Sequence, residues 1–504
     1  MKILTTAQIR EWDAFTILNE PIKSIDLMER AAKQAYALFT QQMQTFLPEP
    51  SNNIFAVFCG QGNNGGDGLV FARMLQEAGF NAQVYVLKLK QKGSIDFEIQ
   101  LQKTIKNGVP LQIIDSPNAV TQISTFNVCI DAIFGSGLTK NLDGLAKELI
   151  DFLNNQKGYK ISIDIPSGLF GDIDLAIRQE NAPVFVAHQT YTFQIPKSSF
   201  LFAETGKAVG ELFIIDIGLL PHFLSQIQSN WTWLNEDNIS NSAASKFDYK
   251  WQKGHALLIT GSRGKLGAAI LSSTAALRAA CGLLTVFSPN CAYAILQTSL
   301  PEAMVLTDVE ENEIRNFPAT NNYQAIGVGP GIGIHAGTIK SFGKWLSQIK
   351  QAIVLDADAI NACASLRKEN PAFQFPPNCI ITPHHKEFDR LFGPSKNSLE
   401  RLNLAIEMAE KYQIVIVLKG AYTAIISSEK NVYFNSTGHP LLATAGSGDV
   451  LTGIVTAYLA NGLLPLEAAI KAVFVHGNLA QSLHLKNYKH AIASDLIDEL
   501  KFFV

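Results

Sequence analysis

Ten residues, Cys59-Gly60-Gln61-Gly62-Asn63-Asn64-Gly65-Gly66-Asp67-Gly68, concentrate glycine, amide and carboxylate. Glycines there allow positive φ and let backbone N–H groups approach an anion closely. Gly60, Gly62 and Gly65 also fill a G-x-G-x-x-G frame, a weak match by itself. Asn63, Asn64 and Asp67 are what a plain phosphate turn does not need. Their oxygens suit a hydroxylated ligand or a hard cation. An ordinary strand-to-helix turn, with Asn satisfying local hydrogen bonds, is the plainer alternative.

Two further carboxylates follow strand-like runs. Asp131 ends Val128-Cys129-Ile130 and precedes Gly135-Ser136-Gly137-Leu138; Asp164 ends Ile161-Ser162-Ile163 and precedes Ile165-Pro166-Ser167-Gly168. Ligands of a parallel sheet bind beyond the carboxyl ends of its strands. The 63–67 loop, Asp131, 135–138, Asp164 and Ser167 are therefore expected on one rim. Capping of the following turns would explain either aspartate alone, but both together with the loop less well.

A second group lies far along the chain. Ala445-Gly446-Ser447-Gly448-Asp449 opens an apolar helix. Small residues at a helix start expose N–H groups to an anion, and Asp449 can take a proton from a substrate hydroxyl during phosphoryl transfer. An N-cap is the plainer reading of Asp449. Lys419-Gly420-Ala421-Tyr422-Thr423 can line nucleotide phosphates, and the glycines of 327–333 allow close backbone approach. Asp356 and Asp358 could hold Mg2+ through water. His384 and His385 do not suit a metal pair, because neighbours on a strand face opposite ways.

The elements that must position these residues alternate. Residues 5–18 and 24–39 read as helices, the second capped by Ser24. Residues 54–58 form a strand and 69–78 the apolar face of a helix. Strands are expected at 82–87, 111–114, 128–131 and 161–164, with helices at 96–106 and 145–152. A polar stretch, 221–249, is the best linker candidate, and Trp231 and Trp233 inside it imply packing against a domain. Beyond it, strands are expected at 255–259, 283–287, 325–328, 352–355, 380–382 and 414–418. Helices are expected at 268–280, 449–460 and 466–483. Strands alternating with helices mean parallel sheets covered on both faces. The expected architecture is α/β: two doubly wound domains, 1–221 and 222–504.

The 504 residues are 47% hydrophobic and 17% charged, with a formal charge of −3, giving no case for nucleic acid or an anionic membrane. Six scattered cysteines, without C-x-x-C pairs, read as free thiols of a reducing compartment. Neither a signal peptide nor a membrane span is evident, so a cytoplasmic location is the expectation.

The 59–68 stretch resembles the defining loop of the NAD(P)H-hydrate epimerase family. The 327–333, 356–358, 419–423 and 446–449 motifs resemble the ribokinase-like superfamily. Within it, Thr382-Pro383-His384 and Gly261-Ser262 before Gly267-Ala268 resemble the NAD(P)H-hydrate dehydratase branch. The two halves together are similar to bifunctional NAD(P)H-hydrate repair enzymes. The resemblance implies a Rossmann-like first domain and a ribokinase-like second. It implies that Asn64, Asp131 and Ser167 bind K+. Asn63, Asn64, Gly65, Gly66, Asp67, Gly135, Ser136, Gly137, Leu138, Thr139, Lys140, Asn141 and Asp164 would contact hydrated NADH or NADPH, with Asp164 as acid/base at C6. In the second half, Ala256, Gly331, His384 and Asp449 would contact the same hydrate. Lys419, Gly420, Ala421, Tyr422, Thr423 and Gly448 would contact ADP or ATP. His385 and Lys386 depart from the family's usual Thr-Pro-His-Pro-Gly-Glu, and Tyr422 replaces a commoner small residue. A homo-oligomer is also expected from the family. Rival readings are a redox Rossmann domain, disfavoured by Lys88 and Lys90 at the end of the second strand, a vitamin or sugar kinase fused to a nucleotide-binding domain, and a scaffold with vestigial sites.

Overall fold

The computed structural model describes residues 1–47, 49, 53–179, 182–239, 246 and 249–503. The chain divides into two compact units, Lys2–Ser229 and Asn230–Val504, the second joined by Met1.

The first unit is built on seven parallel strands. They are β1 (Ile54–Cys59), β2 (Asn81–Leu87), β3 (Leu111–Ile114), β4 (Val128–Ala132), β5 (Tyr159–Ile163), β6 (Gln189–Phe193) and β7 (Glu211–Ile215), in the order β3-β2-β1-β4-β5-β6-β7. Their near-continuous apolar runs bury both faces, as a helix-covered parallel sheet requires. The order reverses between β1 and β4, which opens the crevice where such sheets bind ligands. The helices α1 (Thr6–Asn19), α2 (Ser24–Phe46), α3 (Asn63–Glu77) and α4 (Ile95–Lys106) lie close to the expected positions. Thr5 caps α1 in a capping box with Gln8. Ser24 does not cap α2: Lys23 holds that place, and the Ser24 hydroxyl instead donates to Asp96 at 2.6 Å. Buried Phe39 and Met43 extend the helix past residue 39 to Phe46.

The second unit holds a ten-stranded sheet. Its strands are β8 (Trp231–Trp233), β9 (His255–Ile259), β10 (Leu283–Ser288), β11 (Met304–Thr307), β12 (Ala325–Val328), β13 (Ala352–Leu355), β14 (Cys379–Ile381), β15 (Val415–Leu418), β16 (Ala424–Ile426) and β17 (Val432–Phe434). The order is β11-β10-β9-β12-β13-β14-β15-β16-β17-β8. Strands β9 to β15 run parallel, β16 turns antiparallel, and β8 runs parallel to β17. The expected linker thus supplies a strand. Trp231 packs on Phe434 and Trp233 on Tyr422, at ring separations of 5.2 and 5.4 Å. Ser240, Asn241 and Ser242, part of the same expectation, lie outside the described residues. The helices Leu266–Arg278 and Ser447–Ala460 cross closely. A Cβ on Gly453 would stand 2.1 Å from the Ser272 carbonyl oxygen.

All six cysteines are free thiols, five of them buried and Cys291 half-buried. Among the described residues, no helix is long and apolar enough to cross a membrane.

Candidate active sites

In the first unit, the glycine-rich stretch becomes a tight turn and the start of α3. Gly62 is the N-cap, so Asn63 to Asp67 are helical residues and not a free loop. None of Gly60, Gly62, Gly65, Gly66 or Gly68 takes a positive φ, contrary to the sequence reading. Their purpose is close approach. A Cβ on Gly65 would stand 1.8 Å from the Gly60 carbonyl oxygen, and one on Gly60 2.0 Å from that of Ile133. The turn therefore clamps β1 to the segment after β4.

That clamp aims Asn64 at the crevice. Its side chain is buried, and neither its Oδ1 nor its Nδ2 has a partner. An orphaned buried amide is costly unless a ligand or ion completes it. Gly135 lies directly above: a Cβ there would stand 3.2 Å from Asn64 Cβ and 3.9 Å from Asp164 Oδ2. Asp131, fully buried at the end of β4, accepts the Ser167 N–H at 2.7 Å and the Ser167 hydroxyl at 2.5 Å. Burial raises its pKa to about 6 against the pull of those bonds and of others from Ile133 and Ser162. Asn64, Asp131 and Ser167 are hard oxygen donors, and the bare Asn64 Oδ1 fits a monovalent cation.

Asp164 follows β5 with φ +65, a left-handed conformation that non-glycine residues rarely hold. Two contacts fix it there: its N–H donates to Tyr191 O at 2.8 Å, and Lys197 Nζ lies 2.5 Å from its Oδ1. Lys197 is 1% exposed and also donates to Thr192 Oγ1. Asp67 is buried nearby. Burial and the carboxylates of Asp164, Asp13 and Asp96 hold it well above the usual carboxylate range. The 135–141 segment forms the mouth. Leu138 packs on the core, and Asn141 Oδ1 accepts from Gln179. Arg10 reaches the Ser136 carbonyl oxygen at 3.4 Å. Asn63, Gly137, Thr139 and Lys140 are exposed. Sequence reasoning missed Lys197, Arg10 and Asp13, because each reaches the rim from a distant element.

In the second unit, Gly446 caps the helix Ser447–Ala460 at φ +85, and Asp449 is its third residue. Asp449 is therefore not the N-cap, and the plainer reading of it falls. Lys419 Nζ pairs with Asp356 Oδ1 at 2.8 Å, and Thr452 Oγ1 donates to Asp356 Oδ2 at 2.8 Å. Gly448 has no side chain to intrude: a Cβ there would stand 3.3 Å from Lys419 Nζ. Burial, and then the Asp356 carboxylate, raise the Asp449 pKa to about 7, with Lys419 pulling the other way. A base poised near neutrality suits proton abstraction. Ser447 Oγ lies 3.2 Å from buried His476 Nε2, whose pKa burial lowers to about 4, leaving it neutral. No local signal in the sequence marks His476.

The other expected contacts divide. Gly331, at φ +69, is held by Ser262 Oγ donating to its carbonyl oxygen at 2.7 Å. The N–H of Gly333 donates to Asp358, which also meets Lys265. Ala256 does not face the site. It is the second residue of β9, 0% exposed in the core; the alanine facing Gly331 is Ala268, 3.3 Å from where its Cβ would stand. His384 is the N-cap of a short helix, its Nδ1 accepting the Lys386 N–H at 3.1 Å. Glu387 completes a capping box, so the local departure from the family's usual motif is absorbed into a helix start. His385 begins that helix and is not on a strand. Its Nε2 lies 3.7 Å from a Cβ built on Gly420. The Lys419 N–H donates to Pro383 O, and Gly420 and Thr423 bond each other. Ala421 is exposed, while Tyr422 turns its ring to Trp233 and leaves its backbone to the loop. Each oxygen of Asp356 already accepts one hydrogen bond, from Lys419 and from Thr452.

The family described as NAD(P)H-hydrate dehydratase matches residues 256–501, and the one described as YjeF-related protein N-terminus matches 24–199. The bifunctional NAD(P)H-hydrate repair enzyme Nnr of Thermofilum pendens is 30% identical over 95% of this chain and 91% of its own. That of Moorella thermoacetica is 29% identical over 100% and 96%. Among solved structures, the ADP/ATP-dependent NAD(P)H-hydrate dehydratase of Bacillus subtilis, co-crystallised with ATP/Mg2+, is 30% identical. It covers 52% of this chain and 92% of its own, with a TM-score of 0.45.

Proposed function

The chain belongs to the bifunctional NAD(P)H-hydrate repair family, and from that membership we propose how its residues divide the work. The protein epimerises the R and S hydrates of NADH and NADPH and dehydrates the S form at the expense of ADP or ATP. Lys2–Ser229 carries the epimerase and Asn230–Val504 the dehydratase.

In the epimerase, Asp164 exchanges a proton with the hydroxyl-bearing C6 centre. Asn63, Asn64 and the 135–141 segment hold the nicotinamide hydrate. Asp164 is paired with the buried Lys197 ammonium, and both charges act on Asp13. K+ held by Asn64, Asp131 and Ser167 would fix the turn.

In the dehydratase, Asp449 takes the proton of the C6 hydroxyl while that oxygen attacks the terminal phosphorus of the nucleotide. Lys419, drawn into place by Asp356, and the N–H groups at the start of helix Ser447–Ala460 receive the phosphate charge. Mg2+ would supply further charge neutralisation to the nucleotide phosphates. Phosphate then leaves C6 far more readily than hydroxide would, and loss of a C5 proton restores the dihydronicotinamide. Cytoplasmic location and a homo-oligomeric state are part of the same proposal.

The observation that supports the reading is that Asp164 pairs with buried Lys197, while Asp449 lies in the field of a Lys419 already paired with Asp356. The test supplies an R/S mixture of hydrated NADH with ADP or ATP and follows recovery of reduced-nicotinamide absorbance. A panel of vitamins and sugars runs alongside. Phosphorylation of the panel with no recovery of NADH would make the second unit a small-molecule kinase instead.

A further inference from the structure

Helix α1 lies across the rim of the first sheet. Thr6 donates from its N–H and its hydroxyl to Asp172, at 2.9 and 2.7 Å. Its methyl lies 2.4 Å from where a Cβ on Gly171 would stand, with the Lys197 stem 3.4 Å from the same point. One turn on, Arg10 reaches Ser136 O. Thr6, Arg10 and Asp13, spaced i, i+4, i+7, share one helix face. The next group along that face is the half-buried Asp13 carboxylate. Among the described residues it makes no hydrogen bond or ion pair.

We propose that Asp13 is the second acid/base group of the epimerase, working as the partner of Asp164. This rests on the epimerase reading of the first unit. Inversion at C6 needs one group to give a proton and another to take one, with roles exchanged for the reverse direction. Protonated Asp13 donates to the C6 hydroxyl oxygen. The C–O bond breaks with its electron pair, water leaves, and the N1 lone pair forms N1=C6. Water then adds to the other face: its oxygen bonds C6, the π pair returns to N1, and Asp164 accepts the released proton. One proton is given and one taken, so the substrate's formula is unchanged.

The groups facing Asp13 favour its protonated form. Asp164 and Lys197 act on it from the rim, Asp67 stands on α3, and Arg10 lies one turn away on α1. Burial and the Asp164 charge raise its pKa to about 6, with Lys197 opposing them. Asp13 thus holds a proton where an ordinary aspartate has lost it.

The test compares Asp13→Asn and Asp13→Glu with the unaltered full chain, using chiral analysis of R/S interconversion across pH. Asp13→Asn should lower the epimerisation kcat by about two to four orders of magnitude, with KM within about threefold. Dehydration of the S hydrate should be unchanged. The unaltered enzyme should lose activity as pH rises above the Asp13 pKa. Asp13→Asn should lack that alkaline limb, and Asp13→Glu should recover part of both rate and limb. Near-normal epimerisation in Asp13→Asn, or an alkaline limb that survives it, overturns the proposal. So does equal loss in Asn and Glu variants accompanied by a fallen Tm, which would make Asp13 structural. An unaltered enzyme that does not interconvert R and S would fail the epimerase reading itself.

Discussion

Asp449 and Asp164 are both carboxylates at a helix or strand boundary, yet their surroundings part them. Asp449 is raised to about 7 beside Asp356 and Asp358, whereas Asp164 sits 2.5 Å from the Lys197 ammonium. Asp449→Asn should lower the dehydration rate by roughly two to four orders of magnitude. Its Tm should barely move, because the residue is not the cap. Recovery of reduced-nicotinamide absorbance reads the rate, and near-normal turnover would remove Asp449 from the chemistry. The base form of Asp449 exists above about pH 7 and is lost below it. The kcat/KM of dehydration should therefore rise with pH through that region and level off, and a profile flat from pH 5 to 8 would contradict the assignment. Lys197→Met should destabilise the first unit by about 3–5 kcal/mol, since it strands a partner of a buried pair. Urea unfolding measures this, and a shift under about 1 kcal/mol would mean the pair is worth little. Asp449 and Lys419 were legible because their neighbours in sequence are their neighbours in space. Lys197 was not, because it is 33 residues from Asp164 and nothing local marks it.

At the level of elements, the legible strands were the long apolar ones, buried on both faces. Strand β6, Gln-Thr-Tyr-Thr-Phe, escaped because Gln189, Thr190 and Thr192 are polar yet buried. Strands β16 and β17, of three residues each, also escaped. Ala256 misled for a related reason: position along a strand, which sequence spacing does not show, decides whether a residue reaches the rim. Glycines were read for freedom of φ, but at the 60–68 turn the constraint is contact. The same holds for Gly453 in its helix. Gly453→Ala would push a methyl to within 2.1 Å of the Ser272 carbonyl oxygen and 2.9 Å of Ala275 Cβ. Backbone cannot rotate away, so a loss of about 1–3 kcal/mol is expected, seen as a lower Tm for the second unit. An unchanged Tm would mean that the helices can separate at no cost.

For the whole molecule, Asp164 and Asp449 belong to separate compact units, each built on its own sheet. Asp164→Asn should consume only the S hydrate, while Asp449→Asn should interconvert R and S without forming NADH. Mixing the two variants should restore conversion of the R form, because the S hydrate released by one can diffuse to the other. If the mixture stays as incomplete as Asp164→Asn alone, the intermediate is not released, and the two sites do not work as separate catalysts.

Strand β8 comes from a stretch whose polarity marked it as mere connection, yet it pairs with β17 from Trp231↔Val432 to Trp233↔Phe434. An open sheet edge invites other chains to add to it. The place to cut this protein in two is therefore not the middle of the polar stretch but ahead of Asn230. A fragment starting at residue 250 would carry β17 as a bare, apolar edge and should precipitate or polymerise. One starting at residue 230 carries its own seal, and light scattering of the two fragments at equal concentration would tell them apart.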